Sequence, residues 1–260
     1  AQTVGQTRQA LEDSGFEVIG EYQPYDDATV LVFSSEVLKE KATLTPLGGF
    51  AAALRAAVTV EGENTRVSYV NPGYLARAYR LEDDLDAVQT TLSEALGNVR
   101  AFGSKKGLKS KKLARYNYMF GMEKFDDTYR LGEFDTQSEA VARVDTRLEE
   151  NALGLTEVYR LNLPGQGGVL YGVAMQPEAE DSKYFNDAYQ MSVVDGGEPR
   201  GTAYLPYELL VKDGTIQALH MRFRMALHFP HLSMMGKHSF MTLMPSPGAI
   251  EEALTALVAQ

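Results

Sequence analysis

Apolar positions along this chain switch between two periods, and the switches mark its elements. Thr3 to Ser14 carries Val4, Thr7 and Leu11 at helical spacing, with Gly15 as the stop. Phe16 to Tyr22 alternates as a strand, Gln23 to Asp27 turns, and Ala28 to Phe33 is a short continuous apolar run. Ser34 is placed to cap a helix over Ser35 to Thr43. From Gly48-Gly49 the run FAAALRAAVTV predicts a strand reaching Val60. Glu61 to Asn64 turns it back into Arg66 to Val70, and Leu81 to Leu96 is an amphipathic helix closed by Gly97. The second half gives a helix over Ser138 to Glu150, strands at Leu155 to Leu163 and Val169 to Met175, and an irregular acidic segment from Pro177 to Gly201. Strands follow at Thr202 to Val211 and, after the turn Lys212-Asp213-Gly214, at Thr215 to Phe229. His238 to Met244 reads as one more strand, and a last helix begins near Pro247. Both halves therefore run helix, strand, strand, hairpin, helix, with hairpins at 48–71 and 202–229 in equivalent places. The expectation is an α+β fold of two similar modules. Each has an antiparallel-rich sheet packed with helices, and a pseudo-two-fold axis relates the pair.

The stretch HMRFRMALHFPHLSMMGKH concentrates the chemistry. It holds all 4 histidines of the chain, and Met221, Met225, Met234 and Met235 as well. Taken as a strand, Ile216 to Phe229 puts His220, Arg222, Arg224 and His228 on one face. Leu219, Met221, Phe223, Met225, Leu227 and Phe229 lie on the other, which is core. A row of His and Arg suits an anion or a carboxylate-bearing surface. Two guanidinium groups beside His220 repel a cation, so a metal belongs further along. His228, His231, Met234, Met235 and His238 straddle the Pro230 break, and an imidazole and thioether set without thiolate favours copper. Haem is a second cofactor such residues can serve. Against both stands the plain reading of the methionines as core filler.

Composition narrows the classes. Of 260 residues 44% are hydrophobic, enough for a proper core, and the net charge of −10 argues against general nucleic-acid binding. No apolar run approaches the roughly 20 residues that span a bilayer. The absence of cysteine removes disulfides, thiolate metal sites and thiol catalysis. Together with the Ala1-Gln2 start, this gives the expectation of a periplasmic or exported protein after signal-peptide cleavage. Between the halves, Asn98 to Met122 has no acidic residue. It carries Arg100, Lys105, Lys106, Lys109, Lys111, Lys112 and Arg115, which are 7 of the 25 basic residues. The interleaved Tyr116, Tyr118, Phe120 and Phe125 predict a linker packed down on neighbouring acidic surface. An anion site, or docking onto anionic lipid or a protein partner, is the functional alternative.

Three strings resemble a known family. GFEVIGEY, the buried strand after it, and VTVEGENTRVSYVNPGYLARAY resemble the bacterial domain of unknown function 302 over residues 1–97. The strings FGSKKGL, YNYMFGM, KFDD, LPYELLV and RFRMALHFP are similar to a tandem two-copy exported subgroup. The resemblance implies a compact α+β module at 1–97, a basic linker at 98–135, and a diverged second copy at 136–260. In the second copy Phe229-Pro230-His231 replaces the N-P-x-Y-L ending. The resemblance implies no activity.

Catalytic patterns are missing: there is no G-x-S-x-G and no H-E-x-x-H, and Gly165 to Gly168 joins two strands as a turn rather than a phosphate loop. The reading is an extracytoplasmic, non-enzymatic binding or accessory protein, for a metal, haem or small anion. Its candidate ligand residues are His220, Arg222, Arg224, Tyr69, Tyr74, Tyr204 and Tyr207, in a cleft between modules. The alternative is a structural or assembly subunit that contacts other chains or copies of itself.

Overall fold

The computed structural model describes residues 2–104, 107–195, 197 and 199–259. The first half opens with α1 (Val4–Asp13), whose N-cap Thr3 accepts from Gln6 N while the Gln6 side chain accepts from Thr3 N. β1 (Glu17–Tyr25) and β2 (Ala28–Ser34) form a hairpin, and α2 (Glu36–Thr43) follows. Ser35, not Ser34, caps α2 by accepting from Leu38 N. Ser34 lies buried and donates to Ala52 O at 2.6 Å. Gly48–Ala51 is a 3-10 turn, so β3 begins late, at Leu54–Glu61, and pairs with β4 (Asn64–Tyr69) across a turn with Gly62 at φ 62°. Asn71 caps α3 (Pro72–Ala78), and α4 (Asp86–Leu96) ends at Gly97. The four strands form one antiparallel sheet in sequence order.

The connecting region holds the short α5 (Ser110–Leu113) and the strand β5 (Thr128–Glu133), which the sequence pattern did not suggest. α6 (Gln137–Glu149) starts with a second capping box, Thr136 with Glu139. β6 (Leu155–Asn162) and β7 (Val169–Met175) form a hairpin. The acidic segment expected to be irregular contains a 3-10 turn and α7 (Asp187–Val194), capped by Asn186. A 3-10 turn at Thr202–Tyr204 leads into β8 (Tyr207–Lys212), and β9 (Thr215–Leu219) returns. The expected long strand stops there: Met221–His228 is helix α8, with His220 as its N-cap. His238 to Met244 is not a strand either. It holds a 3-10 turn at Phe240–Leu243, and α9 (Ser246–Val258) closes the chain with Pro247 in its first turn.

The second sheet runs β5-β9-β8-β7-β6. Without β5 its order matches that of the first, and both halves share the order α, β, β, α, β, β, α, α, so the two-module arrangement fits. The halves meet through several elements. Edge strands β1 and β6 approach so closely that a Cβ on Gly20 would stand 2.7 Å from Val158 O and 3.0 Å from Tyr159 Cβ. Tyr25 Oη is 2.6 Å from Thr202 Oγ1, and Ser68 Oγ donates to Arg200 O. Buried apolar residues of both halves form one continuous cluster.

Candidate functional site

Each of the two equivalent hairpins carries a charged residue in an apolar strand. In β3 it is Arg55, between Leu54 and Ala56, fully buried. In β8 it is Glu208, between Tyr207 and Leu209, 1% exposed. Arg55 Nη1 donates to Glu208 Oε1 at 2.6 Å, and its Nε donates to Ala203 O at 3.0 Å. A second guanidinium, Arg224 of α8, reaches the other side of the same carboxylate: its Nη2 is 4.0 Å from Glu208 Oε2. That Nη2 also donates to Tyr204 O at 3.0 Å and Pro206 O at 2.9 Å. One carboxylate thus stands between two arginines, in a place water does not reach.

Aromatic side chains close the centre. The Arg224 guanidinium carbon lies 4.2 Å from the Tyr207 ring centroid and 4.7 Å from that of Tyr204, in cation–π geometry. Tyr159 donates its hydroxyl to Glu208 Oε1 at 2.7 Å. Burial first, and the Glu208 charge second, raise the Tyr159 hydroxyl well above its ordinary range and push Tyr79 up to about 12. Tyr207 and Tyr204 are raised by burial as well. His228, one turn along α8 from Arg224, is driven well below 6.5 by burial and then by the Arg55 and Arg224 charges, so its imidazole is neutral at pH 7. As a whole residue His228 is only half-buried, but its Nε2 is buried without a protein partner. The same holds for Arg55 Nη2, Arg224 Nε and Nη1, Tyr204 Oη and Tyr79 Oη. The centre therefore holds two guanidiniums against one directly contacting carboxylate, with several unpaired donors beside the unpaired Glu208 Oε2, and Asp187 is the next acid to feel the Arg224 charge.

Asp187, the first residue of α7, is the next buried acid. Tyr22 of β1 donates to its Oδ2 at 2.7 Å and Met175 N at 3.0 Å, so it joins the halves. Burial lifts its carboxyl from 3.8 to about 7, against those hydrogen bonds and the Arg224 charge. Asp195 is similar but less enclosed: it accepts from Gly201 N at 2.7 Å and is raised to about 6, again mainly by burial.

Of the residues named from sequence, the structure brings Arg224, Tyr204, Tyr207 and His228 to one place. The rest separate, and the helix explains why. Side chains two apart share a face on a strand but lie about 200° apart around a helix. Arg224 therefore points into the core while Arg222 faces out and donates to Glu123 Oε1 at 2.7 Å. His220 sits beside Glu123 at 3.4 Å with its ring 4.3 Å from Tyr129. Tyr74 donates to Leu227 O, and Tyr69 to Gly97 O near the surface. In the copper set, His231 and Met235 are exposed, Met234 is half-buried, and exposed His238 holds Nδ1 3.1 Å from Val193 O. Among the described residues no group of three or more His, Asp or Glu is arranged to hold a metal ion. Met221 and Met225 are core. Two open surface clefts, one around Glu139 and Arg143 and one around Glu251 and Glu252, are lined by no residue of the arginine centre.

Arg55, Glu208, Tyr159 and Tyr79 were not singled out from sequence. A signal was present: a lone Arg in FAAALRAAVTV and a lone Glu in LPYELLV, at matching places in the two hairpins. An isolated charge in a buried strand calls for a partner elsewhere in the chain. Comparison with protein-family models, with curated proteins and with solved structures gave no match.

Proposed function

We propose that this is a non-enzymatic binding protein that takes one small oxyanion, of carboxylate, phosphate or sulfate type, between Arg55 and Arg224. The observation that carries this is the charge count at a buried site: two guanidiniums share the single carboxylate of Glu208. An unbalanced buried charge costs several kcal/mol, and an oxyanion removes that cost. Arginine N–H groups match the oxygens of such ions in forked hydrogen bonds, and Arg55 Nη2 with Arg224 Nε and Nη1 are the free prongs. The chemistry favours binding: burial holds the tyrosines protonated, and the two guanidiniums are hydrogen-bond donors rather than nucleophiles. The 0–1% exposure of the charged residues limits the ligand to a few heavy atoms.

Calorimetric titration tests this. The protein is first unfolded in guanidinium chloride and refolded in chloride buffer, to strip any resident ion. Acetate, phosphate and sulfate are then titrated in turn. One equivalent of at least one of them is expected to bind, and Arg224→Met is expected to abolish it. No heat from any of the three, or equal binding by Arg224→Met, contradicts the proposal.

A further inference from the structure

The region between the halves has a surface unlike the rest of the molecule. Arg100, Lys109, Lys111, Lys112 and Arg115 are exposed, and no ion pair with the described residues falls on any of them. The expectation that this stretch is neutralised by neighbouring carboxylates is thus not met at these five; Lys105 and Lys106 lie outside the described residues. In a protein of net charge −10, five cations within sixteen residues that make no ion pair with a described residue are a marked concentration of charge.

Apolar side chains stand out of the same region. Phe120 and Val99 are fully exposed, and Met119 is about half exposed. The loop after α8 packs against other residues of this region: the Tyr118 ring is 4.5 Å from that of Phe240, and Pro230 lies beside Gly103. That loop contributes Met235 at 79% exposure and Met244 at 57%. Soluble proteins expose single apolar residues freely, but several of them in a region of lysines without an ion pair to a described residue mark a contact surface.

We infer that this surface docks the protein onto an anionic lipid bilayer, with the lysines over the headgroups and Phe120, Met119 and Met235 dipped into the interface. Charge decides the occupant: the surface is cationic on an acidic protein, so a negatively charged plane both attracts it and turns the rest of the molecule away. Exposure agrees, because Phe120 and Met235 leave most of their side chains open to such an interface. The attachment is peripheral, since no helix among the described residues is long and apolar enough to cross a membrane. The inference does not depend on the oxyanion centre, whose arginines are buried.

Co-sedimentation of the full chain with vesicles is the test. The protein is expected to pellet with equimolar phosphatidylglycerol and phosphatidylcholine, and not with phosphatidylcholine alone. Each basic side chain near such a surface is worth about fivefold in partitioning. The Lys111→Glu, Lys112→Glu double variant should therefore bind at least tenfold more weakly. Phe120→Ser should weaken binding without moving the melting temperature, because its side chain has no contacts to lose. Raising the salt on the unaltered chain supplies a second measurement free of any folding defect, and should release it. Failure to pellet with the anionic vesicles, equal pelleting with both compositions, or binding untouched by salt would overturn the inference.

Discussion

At the scale of single residues, Glu208 and Arg224 are not equivalent members of an ion pair. Among the described residues Glu208 is the only carboxylate that touches both guanidiniums, so neutralising it leaves two like charges buried together. Glu208→Gln is expected to destabilise the protein by about 3–5 kcal/mol. Arg224→Met keeps the volume and leaves Arg55 and Glu208 as a matched pair. It forfeits the bonds to Tyr204 O and Pro206 O but removes the surplus charge, so its expected cost is under about 2 kcal/mol in oxyanion-free buffer. Guanidinium denaturation of both variants checks the contrast. Equal losses would mean that Arg224 is an ordinary structural partner. Asp187 gives a pH signature at the same scale. Its folded carboxyl titrates near 7 and the unfolded one near 3.8, so between those values the folded protein holds a proton the unfolded chain has released. Asp187 therefore subtracts stability as pH rises through that window, and the loss is complete above pH 7. Asp195 acts in the same sense over a narrower window, and His228 opposes both below pH 6.5. Asp187→Asn, measured against the unaltered protein, should gain relative stability steadily from pH 4 to pH 7 and hold the gain above. A difference that does not change with pH would show that Asp187 titrates normally.

At the scale of elements, most strands and helices could be read from pattern and turn chemistry. The turns at Gly62 and at Asp213-Gly214 take the left-handed backbone that their residues favour, and they set both hairpins. The Thr3 and Thr136 caps are equally local signals. The misreading of α8 is also physical. HMRFRMALHF alternates at every position but Ala226, yet His220 accepts from Arg222 N as a cap and diverts the chain into a helix after Leu219. Period alone does not separate the two outcomes in so short a segment. The site was half legible for a related reason: Arg224, Tyr204 and Tyr207 were conspicuous, but their partners Arg55 and Tyr159 sit in other strands. The seam between β1 and β6 offers a test at this scale. Both strands are irregular there, and Gly20 faces the Val158 carbonyl too closely for any side chain. Gly20→Ala should cost about 1–3 kcal/mol by forcing the two sheets apart. A fully neutral change, read from the denaturation midpoint, would mean the edge strands do not hold the halves together.

At the scale of the whole molecule, the two sheets meet around charge rather than around apolar residues alone. Arg55 comes from the first half, Glu208 and Arg224 from the second, and the oxyanion proposed between the arginines would complete the joint. The most direct measurement is a crystal structure of the refolded protein grown with selenate, using the selenium anomalous signal. One peak is predicted within hydrogen-bond distance of Arg55 Nη2 and of Arg224 Nε or Nη1, absent from crystals of Arg224→Met. Selenium signal confined to surface lysines, with the centre between the arginines holding none, would contradict the account.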